Sequence, residues 1–428
     1  MNPYLNSQGL YLGINELNRP LYLPQLARTM HTQIIGATGV GKTESAILPM
    51  IFNDIRCGNA VLFLDPKGDI ETLDLLKTCC LQNARINDLV VVDLAHPEKS
   101  SKYNPLKVGS PTELKDKIIG SIIWTEEFYK KMAETALLDI FLKIKEHKYQ
   151  ASLSLVSQLL RNLIAKTKAA NTGEVKFENI AGLISDIDLW TKSEIGSILN
   201  DPTGGSILEW FNASKIIYVN LNTLAYEETS RRLGRLIIQD LKTSIQYVQS
   251  LSKNNRKVIS VYLDEFASIA SSGFIELLNK ARSANVRLTL AHQSLGDLTT
   301  VSSSFANQVM DNTNVKIIFR LDSPDTCEFF ARLIGTRKST KQTHQVNHSG
   351  IFGSNETGMG TTRVTEEFIV SPNSFRKLGR GESFVITKIP YQISRCKLNP
   401  ICEWFKIYNQ LEQKRRIMWP KFSKELFS

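Results

Sequence analysis

The chain has 428 residues, 42% of them hydrophobic, enough for two or three structural units around a sizeable core. Its 6 cysteines are scattered without a C-x-x-C pair and its 6 histidines are unclustered, which argues against a disulfide scaffold or a structural zinc and for a reduced, cytoplasmic chain. The net charge is +10, and residues 337–428 hold 16 Lys/Arg against 7 Asp/Glu, so the basic end points to a polyanion, nucleic acid before anionic lipid.

In chain order, the first strong signal is "TQIIGATGVGKTES". A β-like run enters a glycine-rich turn matching G-x-x-x-x-G-K-[ST] at Gly36, Gly41, Lys42 and Thr43, and an amphipathic helix follows. Gly36, Ala37, Thr38, Gly39, Val40, Gly41, Lys42, Thr43 and Glu44 form the expected phosphate cradle, aided by the helix N-terminus. Lys42 would bridge the β- and γ-phosphates of ATP, and the Thr43 hydroxyl would ligate Mg²⁺.

Strand-length apolar runs recur at 60–65, 88–94, 215–221, 258–264, 286–291, 315–321 and 383–388. Their near-continuous apolarity suits strands buried on both faces of a parallel sheet. After the run at 60–65, Asp65-Pro66-Lys67-Gly68 reads as a tight turn. From about 106 to 205 the strand–helix alternation stops. This stretch opens on "SPTE", a capping box led by Ser110, continues in helical patterns and closes at "NDPTGG". It is expected to be an all-helical domain inserted in the α/β core. In 229–249, Leu233, Ile237, Leu241, Ile245 and Val248 share one helical face.

The run "VISVYL" ends in Asp264 and Glu265, suited to hold Mg²⁺ and to deprotonate the attacking water. Arg282 closes the next helical pattern and Gln293 follows the next strand. These two read equally well as a finger and a γ-phosphate sensor, or as a helix-end cation and a strand-end polar cap. Residues 336–364, rich in Gly, Ser and Thr, are expected to be a long mobile loop, with His344 and His348 as loop residues. The tail "QKRRIMWPKFSKELF" interleaves bases with Trp419 and Phe422, suiting either a nucleic-acid or membrane contact or packing on the body.

The motifs "HTQIIGATGVGKT", "LFLDPKGD", "VYLDEFAS", "ARSANVRLTLAHQSLGDL" and "IVSPNSFRKLGRGESFVI" resemble, in this order, those of the type IV coupling proteins of bacterial conjugation and secretion, the TraG/TraD type. The resemblance implies a RecA-like, doubly wound, mostly parallel sheet over 1–105 and 206–428, with the helical insert at 106–205 facing the cytoplasm to select cargo. It implies a homo-hexameric ATPase that recruits relaxase-bound single-stranded DNA, or protein substrates, to a secretion channel. Lys42, Thr43, Asp264 and Glu265 take the nucleotide, Mg²⁺ and hydrolytic roles, Arg282 that of a trans-acting finger, and Gln293 that of a sensor. Members usually begin with transmembrane helices, whereas only 35 residues precede Gly36 here; no apolar run reaches membrane-span length, so docking at the inner membrane is expected through partner proteins. The alternative readings are a soluble HerA/FtsK-like pump for double-stranded DNA and a nucleotide-controlled, non-hydrolytic cargo adaptor.

Overall fold

A computed structural model describes residues 9–170, 177–271, 273–348 and 354–407. The strands are β1 (Leu10–Asn15), β2 (Pro20–Leu23), β3 (Thr32–Ile35), β4 (Ala60–Asp65), β5 (Leu89–Asp93), β6 (Ile216–Asn220), β7 (Ile259–Leu263), β8 (Val286–His292), β9 (Val315–Ile318), β10 (Thr336–His348), β11 (Ser354–Phe368), β12 (Glu382–Lys388) and β13 (Tyr391–Leu398). Eleven of them form one sheet in the order β2-β1-β13-β12-β9-β3-β8-β7-β4-β6-β5. From β9 to β5 every pairing is parallel; β12, β13, β1 and β2 extend that edge antiparallel. The fold is thus the α/β, mostly parallel sheet expected.

The parallel strands are legible because both their faces are covered. In β4, Leu62 and Leu64 enter one core with helices 111–121 and 227–250, while Val61 and Phe63 enter another with helix 48–56. Full burial of such side chains stabilises by roughly 1.5–3 kcal/mol each.

Between β5 and β6 the described elements are helices, among them Pro111–Ser121, Glu127–Glu146, Leu153–Ala170 and Phe177–Thr191. Ser110 and Glu113 form the capping box that their spacing predicts, Ser110 N donating to Glu113 Oε2 at 2.7 Å. These helices are continuous in their packing with the sheet: Leu137, Ile184 and Trp190 belong to the same buried cluster as Leu62 and Leu64. A buried ion pair reinforces the junction. Lys117 Nζ lies 2.7 Å from Asp240 Oδ1 on helix Glu227–Ser250, and Tyr103 donates to Asp240 Oδ2 at 2.8 Å.

Residues 336–364 differ from the expected loop. β10 and β11 pair antiparallel as a separate two-stranded ribbon, from Thr336 opposite Phe368 to His348 opposite Ser354. Backbone pairing needs no apolar face, and the threonines of this segment, such as the opposed Thr343 and Thr361, favour extended backbone. The side chains of His344 and His348, and the tail with Trp419 and Phe422, lie outside the described residues.

Candidate nucleotide site

Four neighbouring strands bring the site together, β3, β8, β7 and β4, in that order. Their carboxyl ends lie along one edge of the sheet, where open α/β sheets collect ligands.

At the end of β3 the chain must bend sharply. Gly39 and Gly41 take positive φ angles of 76° and 97°, which a side chain would resist. A Cβ on Gly36 would sit 2.6 Å from Phe319 Cβ, so that residue has no room for a side chain. The loop is pinned on both flanks: Gly36 N donates to His292 O at 3.3 Å and Ala37 N to Arg320 O at 2.9 Å. The helix after it opens on a π-helical turn, Thr43–Ile47, before the α-helix Leu48–Arg56. Pro49 cannot donate to Ser45 and its ring crowds that carbonyl, which fits the wider turn there.

Lys42 folds back into the loop it terminates. Its ammonium donates to Gly36 O at 2.6 Å and Ala37 O at 3.1 Å, and the residue is 5% exposed. Burial lowers its pKa, opposed by the carboxylates of Glu265 and Asp264. At the end of β7, Asp264 is buried, accepts from the Thr43 hydroxyl at 2.7 Å, and has its pKa raised by burial. The loop and the acid pair therefore meet at one place.

The hydroxyl and the buried carboxylate are both hard oxygen donors, and burial disfavours the unaccompanied carboxylate. That donor set fits Mg²⁺, which commonly takes one or two protein ligands and completes its shell with water and phosphate oxygens.

Glu265 sits beside this pair in a left-handed conformation, φ 41° and ψ 42°. For a residue with a side chain this costs on the order of 1–3 kcal/mol and is met most often at functional sites. Its carboxylate accepts from Lys67 Nζ at 2.9 Å and from Gln293 Nε2 at 3.2 Å. Burial works to raise the Glu265 pKa, but the Lys67 ammonium, with Gln293, brings it below the usual carboxylate range. Gln293 N in turn donates to Asp297 Oδ2 at 2.8 Å. A cleft of about 300 Å³, lined by Ala37, Thr38, Gln293, Ser294, Asp297 and Asp322 among others, opens beside the loop. Glu44, on the far side, pairs with Arg380 at 2.9 Å, and Gly381 N donates to Val40 O at 3.1 Å.

Thus Gly36 to Glu44, Asp264, Glu265 and Gln293 lie at one edge, and Arg282 does not. It precedes β8, is exposed, and lines a cleft with His31, Asp311 and Lys388 at the opposite end of the strands. Lys67, read from the sequence as part of a turn, is in that turn and also in the site. The signal was its place just after a strand run ending in Asp.

The sequence matches the family model for type IV secretory conjugative DNA transfer over residues 16–178, and that for the TraM recognition site of TraD and TraG over 259–380. The chain belongs to the type IV coupling protein family. It is 24% identical to the type 4 coupling protein DotL of Legionella pneumophila over 392 aligned residues, covering 73% of this chain and 50% of DotL, so it spans about half of that relative. Its fold resembles the plasmid coupling protein TrwB solved with ADP and Mg²⁺, with TM-score 0.67, 15% identity and coverage of 92% of this chain and 90% of that one. VirB4 of Thermoanaerobacter pseudethanolicus gives TM-score 0.61 and 13% identity, covering 92% and 97%. The α/β fold is therefore the one shared with TrwB and VirB4. Among the described residues no helix is long and apolar enough to cross a membrane.

Proposed function

We propose that this coupling protein hydrolyses ATP to recruit DNA, nucleoprotein or protein cargo and drive it toward a type IV secretion or conjugation channel. The observation that carries the reading is the 2.7 Å bond from Thr43 to Asp264, which joins the phosphate loop to the acid pair. Lys42, now held by loop carbonyls, would exchange them for the β- and γ-phosphates. Thr43 and Asp264 would hold Mg²⁺, which neutralises charge on the phosphates during transfer. Glu265 would orient the attacking water and take its proton. Gln293, already bonded to Glu265, would sense whether the γ-phosphate is present.

Arg282, at the opposite end of the strands from the phosphate loop, would act as a finger reaching a neighbour's site in a homo-hexameric ring. The helical segment 106–205 would select cargo. The chain would work in the cytoplasm, docked on the inner membrane by anchor and channel proteins, and its basic end would follow a phosphate backbone with little base readout.

The test is ATP turnover by the full chain with and without DNA. Turnover should rise with DNA, more for single than for double strands, and vanish in Lys42→Ala. Preference for double strands would favour a HerA/FtsK-like pump. Cargo transfer undiminished in Glu265→Gln would favour the non-hydrolytic adaptor.

A further inference from the structure

We infer that Lys67 is a positioning residue for Glu265, holding its carboxylate aimed into the nucleotide site; the assignment rests on the hydrolytic reading above. The turn that carries the lysine is itself held firmly. Asp65 O accepts from Leu221 N at 3.0 Å, and Pro66 O accepts from Thr223 N at 2.8 Å and Thr223 Oγ1 at 2.9 Å. The Asp65 carboxylate accepts from Lys67 N at 3.0 Å and from the Tyr218 hydroxyl at 2.8 Å. Gly68 takes φ 65°, and a Cβ there would lie 1.8 Å from Asn220 Oδ1. The backbone under Lys67 is thus bolted to β6 and the loop after it, far more firmly than a solvent-facing lysine needs.

From that base the ammonium reaches across the end of β7 to Glu265 Oε1 at 2.9 Å. Strand order makes the arrangement two-sided. β7 lies between β8 and β4, so Gln293 approaches Glu265 from one flank and Lys67 from the other. Glu265 leaves its strand in a left-handed conformation, and its side chain, 18% exposed, stays in one place only if its head is held. An ordinary surface ion pair contributes almost nothing. This one joins a half-exposed lysine to a largely covered carboxylate beside the phosphate loop, and its worth lies in orientation. Misplacement of a reacting group by about 1 Å can cost on the order of 100-fold in rate.

Single-turnover ATP cleavage and the affinity for a fluorescent ATP analogue, both with Mg²⁺ on the full chain, decide the matter. Lys67→Ala should slow cleavage about 10- to 100-fold while nucleotide affinity stays within about 2-fold. Lys67→Arg should recover most of the rate, and Lys67→Ala added to Glu265→Gln should cost nothing further. Lys67→Met, which keeps the stem over the turn, should behave as Lys67→Ala with an unchanged melting temperature. Undiminished cleavage in Lys67→Ala overturns the assignment. So does a loss appearing in affinity, which would make Lys67 a direct phosphate ligand, or an added loss in the Glu265→Gln background. A wild-type chain that leaves ATP intact with DNA present defeats the hydrolytic reading itself; a wild type that cleaves no faster than Lys67→Ala defeats only the role of Lys67.

Discussion

Among the buried charge clusters of the described residues, two have pKa values that move in opposite senses. Arg28 and Asp54 form a bidentate pair at 3.0 and 2.7 Å, with the Tyr262 hydroxyl 2.9 Å from Arg28 Nη2. Burial opposes both charges there, yet each partner overcomes it, raising the Arg28 pKa and lowering that of Asp54. At the candidate nucleotide site burial prevails: Lys42 is lowered and Asp264 raised. Lys42 donates to backbone carbonyls and Asp264 accepts from a hydroxyl, so neither finds a counter-charge in direct contact. The Arg28–Asp54 pair finds its counter-charge within the fold; Lys42 and Asp264 do not, as the proposed ligand role requires.

The comparison is broken most easily by removing one member of each cluster. Asp54→Ala leaves Arg28 buried and unpaired and should cost about 3–5 kcal/mol in urea unfolding. Lys42→Met removes an already disfavoured buried charge, so it should leave the unliganded stability unchanged or slightly higher. Equal losses in the two variants would contradict the distinction.

Two buried histidines give the next effect. His31 accepts from Leu288 N and bonds Leu278 O, while His292 bonds Gln33 Nε2 and Ser294 O; burial lowers each pKa from 6.5 to about 4. Below pH 6.5 the unfolded chain binds protons that the folded chain refuses. Stability should therefore fall as pH drops from 6.5 towards 4, by up to roughly 3 kcal/mol per histidine. His31→Asn, which tolerates the φ of 66° at that position, should flatten the slope, seen as a smaller change in urea midpoint with pH.

The nucleotide itself sharpens the contrast. Mg·ATP at 100 times its Kd should stabilise the wild type by about 2.7 kcal/mol and leave Lys42→Met unmoved in a thermal shift. The smallest effect is expected at the exposed Arg380–Glu44 pair, where Arg380→Ala should change stability by less than about 1 kcal/mol.

The sequence makes some of this visible and hides the rest for physical reasons. β4, β6 and β7 are continuous apolar runs because both faces are covered, and Lys42 and Thr43 stand out through the G-x-x-x-x-G-K-[ST] spacing. β1 is hidden by Gly13, whose absent side chain lets the neighbouring strand approach: a Cβ there would lie 2.0 Å from Lys397 O. β13 is largely polar because it belongs to the antiparallel edge, where several of its residues stay exposed. β10 and β11 form a ribbon with no apolar face in their sequence to announce it. Gln293 and Arg282 flank the same strand, so a linear reading puts both near the nucleotide; the sheet separates them by the length of β8. Lys67 is hidden as a turn because pairing with Glu265 depends on β4 and β7 lying side by side.

The central claim is that the loop at Gly36–Thr43 and the pair Asp264–Glu265 act on one ATP. It is tested most directly by measuring Mg·ATP binding and single-turnover cleavage side by side for the wild type and Glu265→Gln. The account predicts that both bind alike while Glu265→Gln cleaves about 10²–10⁴-fold more slowly. Equal cleavage by the two, or intact ATP with the wild type and DNA present, would contradict it.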